Sequence, residues 1–450
     1  MNLAQQLAQI IEQTPVISDR IVIRRAIAGV TDYFASSLQA HNDADAQKLL
    51  AWLTDEGGHQ RAWLVGRKQL ATARQAALFN GFQAHCLDYD DVHADVRGHP
   101  SAVILSALFA SVRLDKPPTN IDGRRFLTAY VIGIEVMALL GKSVNPYHYE
   151  KGWHATATLG GIAATVAICY LYQEPFLTEA FALAATQAAG MRLLMGTPIK
   201  FLHAGLAAQQ ALQTVEWLRA GLTADQNFLD ENLGFLAIYG QNNEQLTLQQ
   251  WAKPWKIVEP GLWFKTYSYC SAAAYIADAG QLLYQQQQFK PDNIANITLC
   301  FAPPKSDAAL IYQSPTTGEQ GRFSAEYILA LTLLGYPLDF ERFSPEPIAD
   351  NIVSLMQKMQ RHYQTANTCH KSSNRYVVVE IEFLCGNKLS QRIDFPKGSP
   401  QNPYTSEQMR LKLLQAVGDE QKTDNLLADI EQLANGLSLD QFLQRHWLTL

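Results

Sequence analysis

A chain of 450 residues is too long for one ordinary compact unit, so two domains are the default expectation. Its composition, 48% hydrophobic and 17% charged, is that of a globular protein. A formal net charge of −6 argues against a nucleic-acid partner, which demands a basic face, yet it is compatible with an anionic small molecule held by a few buried cations.

From Met1 to about Trp251 the pattern is repeatedly helical. Residues 1–16 mix Asn, Gln and Glu with apolar residues and lack the basic start and continuous apolar core of a signal peptide. Ile21–Ser37, Lys68–Leu87, Ala102–Val112, Arg124–Leu140 and Thr156–Tyr172 each place apolar residues three and four apart. The apolar run Ile162–Tyr172 is shorter than the ~20 residues a bilayer needs, so no membrane partner and a cytoplasmic location are expected. Ala/Gly-rich stretches such as Gly160–Thr165 and Ala182–Gly190 allow close helix approach and predict buried helices. The pattern changes near Pro254–Pro260. Asn296–Ala302 reads as a strand, and Tyr376–Leu384, Gly386-Asn387 and Leu389–Phe395 outline a hairpin. Helical stretches at Ala272–Tyr284, Ala325–Leu334 and Ala349–Arg361 lie between them, and Ser406–His446 is helical again. The predicted fold is mainly α: a large all-α domain built from both chain ends (1–258 and 403–450) plus a smaller α+β domain (259–402). The six cysteines, at 86, 169, 270, 300, 369 and 385, form no C-x-x-C pair and are read as free thiols in a reducing compartment.

Five stretches could carry chemistry. Asn80–His93 contains His85, Asp88, Asp90, Asp91 and His93, and His99-Pro100-Ser101 comes shortly after. A helix running to about Leu87 sets His85 and Asp88 three apart on one face, and Pro100-Ser101 opens the next helix. Carboxylates and imidazoles at helix ends are groups whose proton affinity can be tuned; the blander reading is a solvated acidic helix end. Asp90-Asp91-Val92-His93-Ala94-Asp95 also resembles the magnesium–diphosphate motif of prenyl-transferring enzymes. That site needs a second acidic cluster, and the nearest candidate, Asp230-Glu231-Asn232, has the wrong spacing. Next come Gly152-Trp153-His154-Ala155-Thr156, where His154 could face a pocket or merely cap a helix beside Trp153, and Gly196–Gly205, with Lys200 and His203 three apart at the start of a small-residue helix. Last are Lys265–Cys270 and Arg322–Tyr327, each a basic residue beside hydroxyls suited to carboxylates, or equally an ordinary surface charge.

In order, these stretches resemble the MmgE/PrpD family, which includes 2-methylcitrate dehydratases, cis-aconitate decarboxylases and an iminodisuccinate epimerase. The run N-G-x-x-x-H-x-L-D-Y-D-D-x-H with the later H-P-S is the most specific segment, and G-x-H-x-T and G-x-x-x-K-x-x-H-A-G come after it. The resemblance implies catalytic positions at Asp88, His99, His154 and Lys200 and substrate-binding positions at Asp91, His93, His203, Lys265 and Tyr327. It also implies no metal, no cofactor and a homodimer. The substrate implied is a small di- or tricarboxylic acid, its charge met by cations and its proton moved by Asp and His. Dehydration of the 2-methylcitrate type, in propionate metabolism, is the leading expectation. A cis-aconitate-type decarboxylase or an epimerase is the alternative, and a non-catalytic paralogue is the alternative of another class. Two departures bear on this choice. Ala274 stands where family members often have His, and Leu206 where many have Arg, which would thin the pocket's positive charge.

Overall fold

Helices begin where the sequence offers a cap. Asn2 and Thr72 each form a reciprocal capping box with a Gln three residues on, and Asp19 accepts from the amides of Ile21 and Val22. Pro100 and Pro198 occupy first-turn positions, where the missing N–H costs nothing. The computed structural model describes residues 1–112, 120–230, 232–241, 246–286, 290–303, 307–363 and 375–446. Glu231 and Cys369 lie outside the described residues.

In the first part of the chain run α1 (Leu3–Gln13), α2 (Arg20–Gln39), α3 (Ala44–Glu56), the short pair β1 (Ala62–Trp63) and β2 (Leu70–Ala71), α4 (Ala73–His85) and β3 (Val92–His93). Then come α5 (Pro100–Ser111), α6 (Gly123–Val144), α7 (Tyr147–Glu150), α8 (Ala155–Tyr172), α9 (Leu177–Ala185), α10 (Pro198–Arg219) and α11 (Phe235–Tyr239). The second part holds β4 (Leu262–Trp263), α12 (Ala274–Gln286), β5 (Ile294–Phe301), α13 (Gly318–Gly321), α14 (Ala325–Leu333), α15 (Asp350–Met356), β6 (Met359–Tyr363), β7 (Val377–Phe383) and β8 (Lys388–Ile393). The chain closes with α16 (Ser406–Val417), α17 (Glu420–Gln432) and α18 (Leu439–His446).

Two large apolar cores arise from this order. One contains residues from Ala4 to Phe264 together with Met409–Leu443, so both chain ends share it; the other runs from Tyr269 to Ile393. The second core lies under a mixed sheet of order β6-β5-β7-β8, in which β5 and β6 are parallel and the β7–β8 hairpin is antiparallel. Three expectations shift, the first at Ala182–Gly190, which is helical only to Ala185. Lys68–Leu87 becomes helical only at Ala73, because Leu70–Ala71 pairs with Ala62–Trp63 and Thr72 caps the helix behind it. Ala349–Arg361 is helical only to Met356; Met359–Tyr363 then forms an edge strand beside Ile297–Phe301, a pairing invisible in a short polar run. Helices α6 and α8 are long and apolar enough to cross a membrane, which the shorter run read from sequence was not, but 89% and 94% of their apolar windows are buried against neighbouring elements.

Helices α4 and α10 set the geometry of the site. A side chain on Gly81 would lie 2.8 Å from the Gly205 Cα, and one on Gly205 only 2.2 Å from the Leu78 carbonyl oxygen. The two backbones therefore touch, as only glycine permits. That contact holds the C-terminus of α4, with His85, against the first turns of α10, with Lys200 and His203.

Candidate active site

The α4 helix stops at His85, and Asp88 adopts a left-handed conformation (φ 50°) that turns its side chain back toward the helix end. His85 and Asp88 thus meet through this turn, closed by the Asp88 amide donating to the His85 carbonyl at 2.8 Å, and not through helical spacing. The carbonyls exposed there are orphans of the helix terminus. Residues far along the chain cap three in succession. Arg322 Nη1 donates to the Cys86 oxygen at 3.0 Å, Ser268 Oγ to the Leu87 oxygen, and Lys265 Nζ to the Asp88 oxygen at 2.9 Å. Cations at a helix C-terminus also meet the negative end of its dipole.

Asp88 is the centre of the cluster. Its Oδ1 receives Lys200 Nζ at 2.8 Å and Lys265 Nζ at 2.5 Å, with His99 Nε2 at 3.5 Å. The other face of His99 places Nδ1 3.2 Å from Asp90 Oδ2, and His85 Nδ1 lies 2.9 Å from Asp90 Oδ1. His85 and His99 are in ring contact at 4.2 Å between centroids, and His154 Nδ1 meets His203 Nδ1 at 3.0 Å. Lys200 Nζ lies over the rings of Phe201 and Phe323 at 5.3 and 5.2 Å. His99 and His154 each sit at the N-cap of an apolar helix, α5 and α8, and the His99 amide donates to Thr156 Oγ1 at 3.2 Å.

Burial and charge work against each other here. Burial opposes ionisation of Asp88, but Lys200 and Lys265, with His99 and His85, hold its carboxyl well below the usual carboxylate range. Asp90 is likewise buried, and His85 and His99 hold it low. The imidazoles go the other way: burial lowers His85 to about 3, and burial with Lys200 holds His154 well below the ordinary histidine value. Burial also lowers His99, His203 and Lys200. The result is a set of ionised carboxylates, buried cations and neutral imidazoles within contact distance.

Asp88, His99, His154, Lys200, His203 and Lys265 therefore converge, together with His85 and Asp90. Three residues expected in the pocket are placed elsewhere. Asp91 turns to the start of α5, accepting from the Ser101 amide at 3.2 Å and from the Ser101 hydroxyl, and burial pushes its carboxyl well up. His93 lies in the β3–β4 ladder with Nε2 on the Lys256 carbonyl at 3.0 Å. The Tyr327 hydroxyl donates to the Arg342 carbonyl at 2.6 Å inside the second core. Arg322, five residues before Tyr327, is the member of that stretch that reaches the site. Lys412 of α16 also emerges, donating to Asp32 Oδ1 at 2.7 Å and to the Tyr89 and Lys265 carbonyls at 2.9 Å each. Nothing in the local pattern of α16 marked it; only a buried lysine beside a distant buried aspartate does. Leu206 is 37% exposed on α10, so the change there does not thin charge in the cluster, whereas Ala274 packs in the second apolar core.

The chain matches the models of the MmgE/PrpD N-terminal domain over residues 5–247 and of the MmgE/PrpD C-terminal domain over residues 267–432. It belongs to the MmgE/PrpD family. Two curated relatives resemble this MmgE/PrpD chain at a distance. The cis-aconitate decarboxylase-like protein oryM of Aspergillus oryzae is 25% identical over 414 residues, covering 84% of this chain and 83% of that protein. The cis-aconitate decarboxylase of Homo sapiens is 24% identical over 347 residues, covering 75% and 71%. The second MmgE/PrpD domain match starts at residue 267, within the change of core between Phe264 and Tyr269.

Proposed function

We propose that this chain is a cofactor-independent lyase acting on a small di- or tricarboxylic acid, with decarboxylation of a cis-aconitate-like acid as its reaction. The observation that carries the reading is the pair of lysine ammonium groups on one buried aspartate oxygen amid neutral imidazoles. One ionised carboxylate, Asp88, meets two cations, Lys200 and Lys265, while Arg322 holds the nearby Cys86 carbonyl. The excess positive charge suits an acid with more than one carboxylate. Dehydration is the leading expectation from sequence; likeness to a cis-aconitate decarboxylase and a cis-aconitate decarboxylase-like protein moves the reading to decarboxylation.

The chemistry rests on the charges. The bond to the departing carboxylate breaks, CO2 leaves, and the electron pair stays on carbon, delocalised into the neighbouring unsaturated acid. Lys200 and Lys265 stabilise that charge where water is excluded. An imidazole N–H then protonates the carbon. His154 and His203 face each other through Nδ1, so one donates and the other accepts. With His203 as donor, the proton that His154 gives up from Nε2 is replaced at its Nδ1 by His203, which takes a proton from solvent in turn.

Incubation with cis-aconitate, citrate, 2-methylcitrate and iminodisuccinate in deuterated water, with product NMR as the readout, tests the reading. The expected result is CO2 loss from cis-aconitate with one solvent deuterium in the product. Water loss from 2-methylcitrate would return the assignment to a dehydratase, and no turnover or exchange with any of them would sink it. His85, Asp88, Asp90 and His99 also offer ligand atoms within 4.8 Å of one another. Since two ammonium groups already neutralise Asp88, activity should survive EDTA; its loss would assign those donors to a metal. A homodimer belongs to the same reading, with light scattering as its check.

A further inference from the structure

Arg97 is two residues from His99, half-buried, and in the left-handed region at φ 56°. A non-glycine residue there costs on the order of 1 kcal/mol or more and persists only where the surroundings impose it. They do. The Arg97 amide donates to the His93 carbonyl at 2.9 Å and the His93 amide to the Gly98 carbonyl at 3.1 Å. Asn145 Nδ2 donates to the Asp95 and Val96 carbonyls at 3.2 Å each, and Gly141 lets α6 press against the same loop.

The guanidinium so positioned makes no hydrogen bond among the described residues. It lies over the Tyr149 ring at 5.7 Å, and Arg192 lies over the same ring at 4.2 Å. Arg192 spends one contact on the Tyr149 carbonyl, at 3.0 Å from Nη1. Burial and the charges of Arg375 and Arg192 all act against the Arg97 cation. Glu150 is the carboxylate that offsets them, but it is exposed and makes no ion pair with Arg97 among the described residues. Two guanidinium groups are thus held on one tyrosine without a counter-ion between them among the described residues. Tyr149 in turn packs with Met195 and Phe323, and Lys200 lies over Phe323, so the arginines stand one aromatic layer outside the Asp88 cluster. Exposed Met191 and Leu193 flank Arg192, leaving this side of the layer open to solvent.

We propose that Arg97 and Arg192 form an anion-binding vestibule that captures a carboxylate of the incoming acid before it passes to Lys200 and Lys265. The inference rests on the polycarboxylate reading above. Guanidinium is suited to the task, since its planar fork pairs with a carboxylate through two parallel hydrogen bonds. The vestibule acts on capture, and its attraction weakens as salt screens it.

The test is steady-state kinetics of Arg97→Gln, Arg192→Gln and the double variant across ionic strength, with melting curves to confirm folding. The double variant should lose about tenfold in kcat/KM at low salt, kcat should fall by a smaller factor, and the gap should close at high salt. Arg97→Lys should recover part of the loss. Wild-type kcat/KM and an unchanged salt slope in the folded double variant would overturn the vestibule while leaving the lyase reading intact. If no acid is turned over, the lyase reading fails, and calorimetric titration with citrate still decides the vestibule. Binding in the wild type that weakens about tenfold in the double variant supports it; equal binding, or none at millimolar citrate, overturns it.

Discussion

Two buried charge clusters in this molecule are built to opposite rules. In the second domain, Arg361 donates to Glu326 through Nε and Nη2 at 2.7 and 2.8 Å, to Asp307 at 2.9 Å, and to the Leu310 and Tyr312 carbonyls. Tyr363 adds its hydroxyl to Asp307 at 2.9 Å. Every donor of the guanidinium has an acceptor, and the network edges a recess of about 540 Å³ while remaining closed in its bonding. The Asp88 cluster is left open. Asp88 Oδ2, His85 Nε2 and Arg322 Nε are buried without a hydrogen-bond partner among the described residues. A saturated network holds a fold together; spare donors and acceptors beside buried charge are what a reacting ligand needs.

The largest expected effect separates the two clusters by rate. Lys200→Met should lower turnover of the acid by about 10³-fold, because a charge aimed at the developing anion is removed. Retention of rate within tenfold, measured on folded protein by product NMR, would strip Lys200 of that role. Arg361→Leu should do the converse. Removing one partner strands Glu326 and Asp307, so urea denaturation should show a loss of about 3–5 kcal/mol, with the rate per folded molecule little changed. If Arg361→Leu proved neutral to stability, the contrast between a saturated and an open network would collapse.

Acid sharpens the comparison next. Folding lowers His85 to about 3, and lowers His148, which is buried against Thr158 and Trp153, to about 4. Below pH 6.5 the unfolded chain takes up protons at these positions that the folded chain refuses, so stability present above 6.5 is lost as the pH falls toward 4. Each such histidine contributes a slope of about 1.4 kcal/mol per pH unit. Urea midpoints read from pH 7 to 4.5 should fall accordingly, and a flat profile would mean the imidazoles are not held neutral. The smallest effect concerns Tyr327. With its hydroxyl on the Arg342 carbonyl, Tyr327→Phe should cost about 1 kcal/mol of stability and change the rate by less than about threefold. A large rate loss would return Tyr327 to the pocket.

Much of this was legible in sequence because it is local. The apolar spacing of α2, α5, α6 and α8, the hairpin around Gly386-Asn387, and the Pro100 helix start are properties of a few neighbouring residues. Asp88, His99, His154 and Lys200 were identifiable as candidates because a family motif carries them. Tertiary structure decided what the local pattern could not. Whether Asp88 lies on a helix face or in a left-handed turn depends on Lys265, Ser268 and Arg322 reaching across from distant parts of the chain to take the carbonyls that the broken helix exposes. Among the acidic residues of 88–91, only the packing of α5 and α10 separates Asp88 and Asp90, which face cations and imidazoles, from Asp91, which braces a helix start. Sequence determined which residues could carry charge; contact between distant segments determined which charges were left with something to do.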